Sequence, residues 1–413
     1  VNNIAIGHQA MTQNDAEGNN LALGTGALGG VISGGEYNIA IGNFAGDAIT
    51  SGDSNTLVGY NVGTSITTST LNTFIGFDVG KQHSTNAGGS VNTGIGASAL
   101  QALTTGGQNT ALGGNAGYLL TTAVDNVLVG HNTGDALVLG SYNTAVGKDA
   151  LSGAQGDRYN VAIGFEALKI FNTGTSVNDT ENVAVGVQAG LRMTSGSANT
   201  VLGGSSGNEI TTGINNVTLG QGAGDDLTTG SNNIFLGPQS QVSTAAASYQ
   251  FAIGVNVTSA GNSTTTIGYD TTEIATSHGS ADWAAVSDER YKKDITSSTA
   301  GLAFINDLRP VTFKFKQKNE LATDIYGYDA DSTDTDGYTD EIAHGFVAQE
   351  IKTAIDNHSE VKAGQGIWKQ AADAKSNRQS VSHTAMIPML VKALQEADDK
   401  IDALTARVTT LEG

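Results

Sequence analysis

"NTAVG", Asn143 to Gly147, decides the fold because it does not stand alone. "NNIAIG" (Asn2 to Gly7), "NNLALG" (Asn19 to Gly24), "YNIAIG" (Tyr37 to Gly42) and "SNTLVG" (Ser54 to Gly59) share its form, Asn-x-x-aliphatic-Gly. The anchoring asparagines are Asn3, Asn20, Asn38, Asn55, Asn72, Asn92, Asn109, Asn126, Asn143, Asn160, Asn182, Asn199, Asn216 and Asn233, and most steps are 17 residues. Two degenerate copies follow, at Gln250 to Gly254 and Thr264 to Gly268. A fixed period of this size is the mark of a solenoid, whose units bury an apolar face only by stacking on their neighbours.

Within the unit, the residue three after each Asn is Ile, Leu or Val, the residue one after it is usually Thr, Val, Ile or Leu, and Ala is commonest between them. Such alternation predicts a short strand, with the first and third positions on one face and Gly closing it. An apolar residue before Thr-Thr-Gly or Thr-Ser-Gly, as in "ITSG" (Ile49 to Gly52) and "LTTG" (Leu103 to Gly106), reads as a second short strand and a turn. A turn of about 17 residues encloses a thin core of one or two aliphatics, and small cores are marginal. Lateral association through the small-residue face is expected to supply the missing burial. The fold class expected is therefore mainly β: a β-solenoid or β-roll over residues 1–268, associated into an oligomer.

Two units break the period. The step from Asn72 to Asn92 is 20 residues and contains Gly80 to Ser90; the step from Asn160 to Asn182 is 22 and contains Leu168 to Thr180. Insertions on solenoids project as loops and often bind ligands, so Lys81, His83, Lys169 and Phe171 are the candidate receptor residues.

The 413 residues include 55 Gly, 3 Pro and no Cys, which excludes disulfides and thiolate metal sites. A net charge of -20 argues against a nucleic-acid partner, which needs clustered Lys and Arg. No apolar run is long enough to insert in a membrane and no basic start precedes a short apolar stretch. Because it begins at Val1, the chain is expected to be a fragment of a longer protein. "GTGALG" (Gly24 to Gly29) fits the dinucleotide fingerprint, but no crossover helix or ribose-binding acid follows. The sequons at Asn178, Asn216 and Asn262 are expected in any text this rich in Asn and Thr. The acidic stretch Tyr326 to Glu341 fails as an EF-hand: with its sharp turn at Gly337, the twelfth ligand would be Ala343. No metal or cofactor is expected.

Charge is distributed unevenly. Residues before Ser287 hold 5 Lys+Arg and 19 Asp+Glu; those from Ser287 onward hold 15 and 21. "SDERYKKDI", Ser287 to Ile295, opens the richer part after a linker at 269–286 that loses the repeat. Residues 287–413 read as a small α+β domain, with "LRPVTFKFK" (Leu308 to Lys316) as a strand and "HGFVAQEIKTAI" (His344 to Ile355) running from strand into helix. Leu390, Leu394, Ala397, Ile401, Leu404, Val408 and Leu411 alternate steps of 4 and 3, the seam of a coiled coil spanning 386–413. Within the charged block, Ser287 would need a neighbouring base to act as a nucleophile; Arg290 and Lys293 are cations that can depress a lysine's pKa, and the first histidine after it is His344. A Ser-Lys pair is the economical candidate.

The repeat resembles the head repeats of trimeric autotransporter adhesins over roughly residues 1–268, although those repeats are shorter. The stretch from Ser287 to Gly413 resembles the C-terminal intramolecular chaperone of phage tail spikes and tail fibres, endosialidases above all. Its signature Ser-Asp-x-Arg-x-Lys-x-Asp-Ile stands as Ser287, Asp288, Arg290, Lys292, Asp294 and Ile295, and "HGFVAQE", with Gln349 and Glu350, and "MIPMLVKALQE" match later blocks. The resemblance implies a homotrimeric tail fibre that attaches to a host polysaccharide or receptor and joins upstream virion tail components. It also implies assembly in the host cytoplasm and self-cleavage between Val286 and Ser287, with Ser287 and Lys292 catalytic and no activity on an external substrate. A polysaccharide-degrading tail spike and a cellular trimeric surface adhesin are the alternatives. The first wants paired carboxylates, and Asp225 and Asp226 are the only adjacent pair before Ser287.

Overall fold

A computed structural model describes the chain except residues 1, 15–17, 84–89, 271, 281–282, 286, 288, 322, 324–327, 329, 332–341, 362–365, 371–378 and 413. It divides into two compact units, Val1–Tyr291 and Lys292–Gly413.

The first unit is the expected β-solenoid. Each anchoring Asn precedes a three-residue strand, from Ile4–Ile6 to Ile234–Leu236, and successive strands pair in parallel with each turn laid on the last, as in Val127↔Thr144 and Thr144↔Val161. The asparagines hold this register. The Asn143 backbone N–H donates to Asn126 Oδ1 at 3.0 Å; its Nδ2 donates to the same oxygen at 3.2 Å and to the Asp157 carbonyl at 2.9 Å. Asn126 treats Asn109 and the Gly140 carbonyl in the same way. A buried side-chain ladder thus runs beside the backbone ladder, its polar atoms satisfied. It ends where Gln250 donates its N–H to Asn233 Oδ1 and turns its own side chain to Ser243.

The strand faces are the reverse of the expected ones. The middle residue points inward: Ala22, Ala40, Leu57, Phe74, Ala111, Leu128, Ala145, Ala162 and Ala184 are fully buried. The first and third residues point outward, leaving Ile39, Ile75, Ile95, Leu112, Ile163 and Leu219 exposed in a continuous aliphatic stripe. The expected second strand is a bend in most turns. There Thr50, Ser51 and Gly52 all direct their N–H groups at the Thr67 carbonyl.

Left-handed corners close each turn. One precedes the Asn (Tyr37 φ 59°, Leu71 φ 60°, Val91 φ 64°), one lies two residues after the strand's Gly (Asn61 φ 54°, Asp78 φ 54°), and one lies four after it. The strand-closing Gly itself is required: Gly147 has φ 134°, and a Cβ there would lie 2.4 Å from the Gly164 carbonyl oxygen of the next turn.

The third corner reveals how the core is filled. It is Leu at Leu28, Leu100, Leu151 and Leu168, where the inward strand residues on both sides are Ala or Gly; it is Gly at Gly46, Gly80, Gly117 and Gly134, where one of them is Leu or Phe. A Cβ on Gly117 would stand 2.9 Å from Leu128 Cδ1, and one on Gly80 2.3 Å from Phe74 Cε2. Volume removed at one slot is restored at its neighbour.

Part of 269–286, expected as a linker, extends the sheet. Thr272–Ser277 pairs antiparallel with Thr264–Tyr269, and Ala284–Ala285 pairs with Ile274 and Ala275. Reversing direction stops the parallel stacking.

In the second unit, helix α1 (Leu302–Asn306), helix α2 (Ala348–Asn357) and the start of helix α3 (Ile387–Glu412) surround Phe304, Ile351, Ile355, Val361, Ile367 and Met386. Two strand pairs, Val311–Phe313 with Ala343–Gly345 and Trp368–Gln370 with Gln379–Val381, complete it. The Glu396 carboxylate accepts the Leu302 N–H at 2.9 Å, capping α1 and fixing α3 against it. From Asp398 to Glu412 every residue is exposed, so the second half of α3 has no packing partner among the described residues.

Replacing Asn126 by Ala is expected to destabilise the solenoid by about 3 kcal/mol, because buried donors and acceptors in two turns lose partners. Leu128→Ala should also cost about 3 kcal/mol. Adding Gly117→Leu to Leu128→Ala should recover part of it, since the introduced side chain would then fill the space that the truncation at 128 vacates. Denaturant melts of the single and double variants read both effects.

Candidate functional site

The signature block straddles the two compact units. Ser287, exposed, follows the strand Ala284–Ala285 in the first unit, and one 3-10 turn, Glu289–Tyr291, ends that unit. Lys292 opens the second and is exposed, as are Arg290 and Asp294. Asp294 sits in the left-handed region at φ 56°. Val286 and Asp288 lie outside the described residues. Gln349 and Glu350 are on the first turn of α2, far along the chain. Glu350 meets a partner that sequence reasoning missed: Arg309 Nε donates to Glu350 Oε2 at 3.0 Å. Hydrogen bonding from that guanidinium holds the Glu350 carboxyl below the usual carboxylate range. The pair edges a cleft of about 340 Å³ lined by Asp307, Leu308, Phe346, Val347 and Ile351.

Two of the four expected receptor residues are not on the surface. His83 and Phe171 are fully buried, His83 edge-on to the Phe74 ring at 5.8 Å. Both stand seven residues after a strand-closing Gly, the inward slot that Ile49, Ile66, Leu103 and Leu120 fill in other turns. The extra residues therefore begin only after them. In the second insertion the projecting segment is anchored: Asp157 and Arg158 pair in parallel with Asn178 and Asp179, and Asn160 Nδ2 donates to the Thr180 hydroxyl at 2.8 Å. Asp157 is buried beneath it, accepting hydrogen bonds from Thr173, and burial pushes its carboxyl up. Residues 84–89 of the first insertion are outside the described residues. Lys81 and Lys169 do face outward, but ion-paired: Lys81 Nζ lies 3.2 Å from Asp78 Oδ2, and Lys169 Nζ lies 2.6 Å from Glu166 Oε1 and 3.7 Å from Asp149 Oδ2.

Residues 287–360 match the family model described as the chaperone of endosialidase. No curated protein and no solved structure matches the chain. The match takes in α1, α2 and the strand pair between them and stops before α3. A chaperone domain of this kind behind a β-solenoid fits a phage tail fibre or spike of the endosialidase type.

Among the described residues there is no group of three or more His, Asp or Glu that could hold a metal, and no helix is long and apolar enough to cross a membrane. The Asp225–Asp226 pair is part of a turn, with Gln241 donating to Asp225 and accepting from the Asp226 N–H.

His358 ties the chaperone-like unit together at the end of α2. Its Nε2 lies 2.8 Å from Asp307 Oδ2 and its Nδ1 2.8 Å from Glu360 Oε1, while its ring stands edge-on to Phe304. Hydrogen bonds to Asp307 first, then Glu360, raise its pKa above the ordinary value. The stabilisation from its charged form is thus complete below about pH 6.5 and lost as pH rises through the raised value. Glu360, held low by its hydrogen bonds, loses its share only in acid, outside that window. Hydrogen exchange across α2 in the full chain should accelerate as pH rises above about 6.5, beyond the intrinsic base-catalysed rate, and His358→Gln should flatten that excess.

Proposed function

We propose that the protein is a homotrimeric phage tail fibre that attaches to the host surface, and that its C-terminal unit templates assembly and is then released by autoproteolysis before Ser287. The observation that carries this reading is the match of residues 287–360 to the chaperone of endosialidase directly behind a solenoid. Two exposed seams support association of the chains. The outward aliphatic stripe repeats at every turn without a charged residue at its first or third strand positions. Along α3, Leu390, Leu394, Ile401, Leu404, Val408 and Leu411 are exposed at heptad spacing. Apolar surface of this extent and regularity marks an interface.

The cleavage chemistry is a Ser-Lys reaction. The Lys292 amine removes the Ser287 hydroxyl proton as Oγ attacks the Val286 carbonyl carbon. The Val286–Ser287 amide bond breaks, its nitrogen leaves protonated as a new α-amine, and an ester remains on Oγ. Water opens the ester, giving a Val286 carboxylate and restoring the hydroxyl.

Denaturing electrophoresis of freshly assembled protein should show fragments 1–286 and 287–413, while Ser287→Ala and Lys292→Ala stay whole and still sediment as trimers. Leu394→Glu with Ile401→Glu should prevent both trimer formation and cleavage. Wild type that assembles yet stays uncut removes the proteolytic part of the proposal; a stable folded monomer at micromolar concentration removes the rest.

A further inference from the structure

The two units that carry insertions share a feature no other unit has. "FDVGK" (Phe77 to Lys81) and "FEALK" (Phe165 to Lys169) place an aromatic residue just after the strand's Gly, a carboxylate next to it and a lysine three residues beyond the carboxylate. Lys81 and Lys169 are two of the five cations before Ser287. The structure turns these two stretches into similar surface clusters. Phe77 is 52% exposed and Phe165 41%. In each, the lysine is paired to the carboxylate, and a glutamine from the next turn donates to that carboxylate: Gln101 Nε2 to Asp78 Oδ2 at 3.4 Å, Gln188 Nε2 to Glu166 Oε2 at 2.8 Å. Tyr60 stacks on Phe77 with ring centroids 5.6 Å apart, and Lys148 lies over Phe165 at 5.4 Å while binding Asp149.

The exposed rings are not part of the packing that holds the turns together. Phe77 and Phe165 are outside the core, and other turns close with Ala97, Val187 or Gln221 at the same position. An exposed ring beside donors and acceptors fixed by mutual hydrogen bonds can stack on the apolar face of a sugar and bond its hydroxyls. Both clusters balance their charges, Asp78 against Lys81 and Asp149 with Glu166 against Lys148 with Lys169, on a solenoid that is otherwise acidic. We propose that Phe77, Asp78, Lys81 and Gln101 form one binding site for a neutral, hydroxyl-rich polysaccharide, and that Phe165, Glu166, Lys169 and Gln188 form a second. Five turns separate them, roughly 24 Å at the usual strand spacing, so one glycan chain or two neighbouring chains can engage both and gain avidity. The inference rests on the attachment reading above and gives it a ligand class.

The test is affinity electrophoresis of the full chain through gels containing glucan, mannan or galactan as neutral probes and alginate as an acidic one. At least one neutral polymer should retard the wild type. Phe77→Ala and Phe165→Ala should each weaken retardation roughly fivefold, and the double variant should migrate as if no polymer were present, with an unchanged melting curve. Retardation by alginate alone, by no neutral polymer, or equally for wild type and double variant overturns the proposal. Attachment to a panel of bacteria separates this from the wider reading. Wild type and double variant that attach equally refute the two sites and leave attachment standing; wild type that binds a neutral polymer but no cell refutes attachment and leaves the sites standing.

Discussion

The asparagine ladder is the constraint on which the solenoid depends. In a regular turn the buried Asn side chain accepts from the next turn and donates to the previous one and to a carbonyl across its own turn, so removing a member leaves polar groups orphaned on both sides. Hydrophobic burial alone would let turns slide, because aliphatic contacts are non-directional. The ladder forbids sliding, and it also explains how insertions are tolerated. The 22-residue step still brings Asn182 N–H to Asn160 Oδ1 at 3.1 Å and Val183 opposite Val161. Two bonds change: Asn160 Nδ2 donates to the Thr180 hydroxyl in place of a turn carbonyl, and Asn160 Oδ1 accepts from that hydroxyl where the next Asn side chain donates in regular steps, so extra residues are accommodated where they need not repeat.

This division of labour determines what a reader of the sequence can see. Asn and Gly recur because only a short amide fits the ladder and only Gly fits φ near 135° under the next turn's carbonyl, so period and strand are legible. The inward face is not, since alternation places Ala on one side and Ile or Val on the other, and hydrophobicity favours the wrong one. A quieter cue does exist. Leu28, Leu100, Leu151 and Leu168 appear only between small strand residues, a correlation that makes sense only if the middle strand position points into the core. The same attention to the slot seven after Gly would have placed His83 and Phe171 inside. The Arg309–Glu350 contact bridges 41 residues and has no local signal at all.

Both units present apolar surface that their own described residues do not cover. On the solenoid it repeats with the turn rise, so a matching surface must have the same rise over the same length, a condition another copy of the chain meets without further design. On α3 it starts beside Ala393 and Glu396, which pack against the core and α1, and continues along the rest of the helix. In the proposed trimer the helix seam supplies what the solenoid lacks during folding. Parallel turns are non-local, slow to pair and prone to mispairing at open edges, whereas three heptad seams associate through local structure and hold the chains together at one end.

In the proposed assembly, release of the template is compatible with the same physics. Once the ladder is complete, every turn is held by bonds to the turns beside it. The contribution of the proposed templating domain would then be kinetic: its removal would leave the bonds between turns in place while removing the element that brought the chains together. Refolding would become slow relative to unfolding of a single turn, so persistence would rest on the unfolding barrier more than on equilibrium stability. For the proposed fibre, a barrier built from a continuous buried ladder and a long aliphatic seam does not depend on any single strong contact.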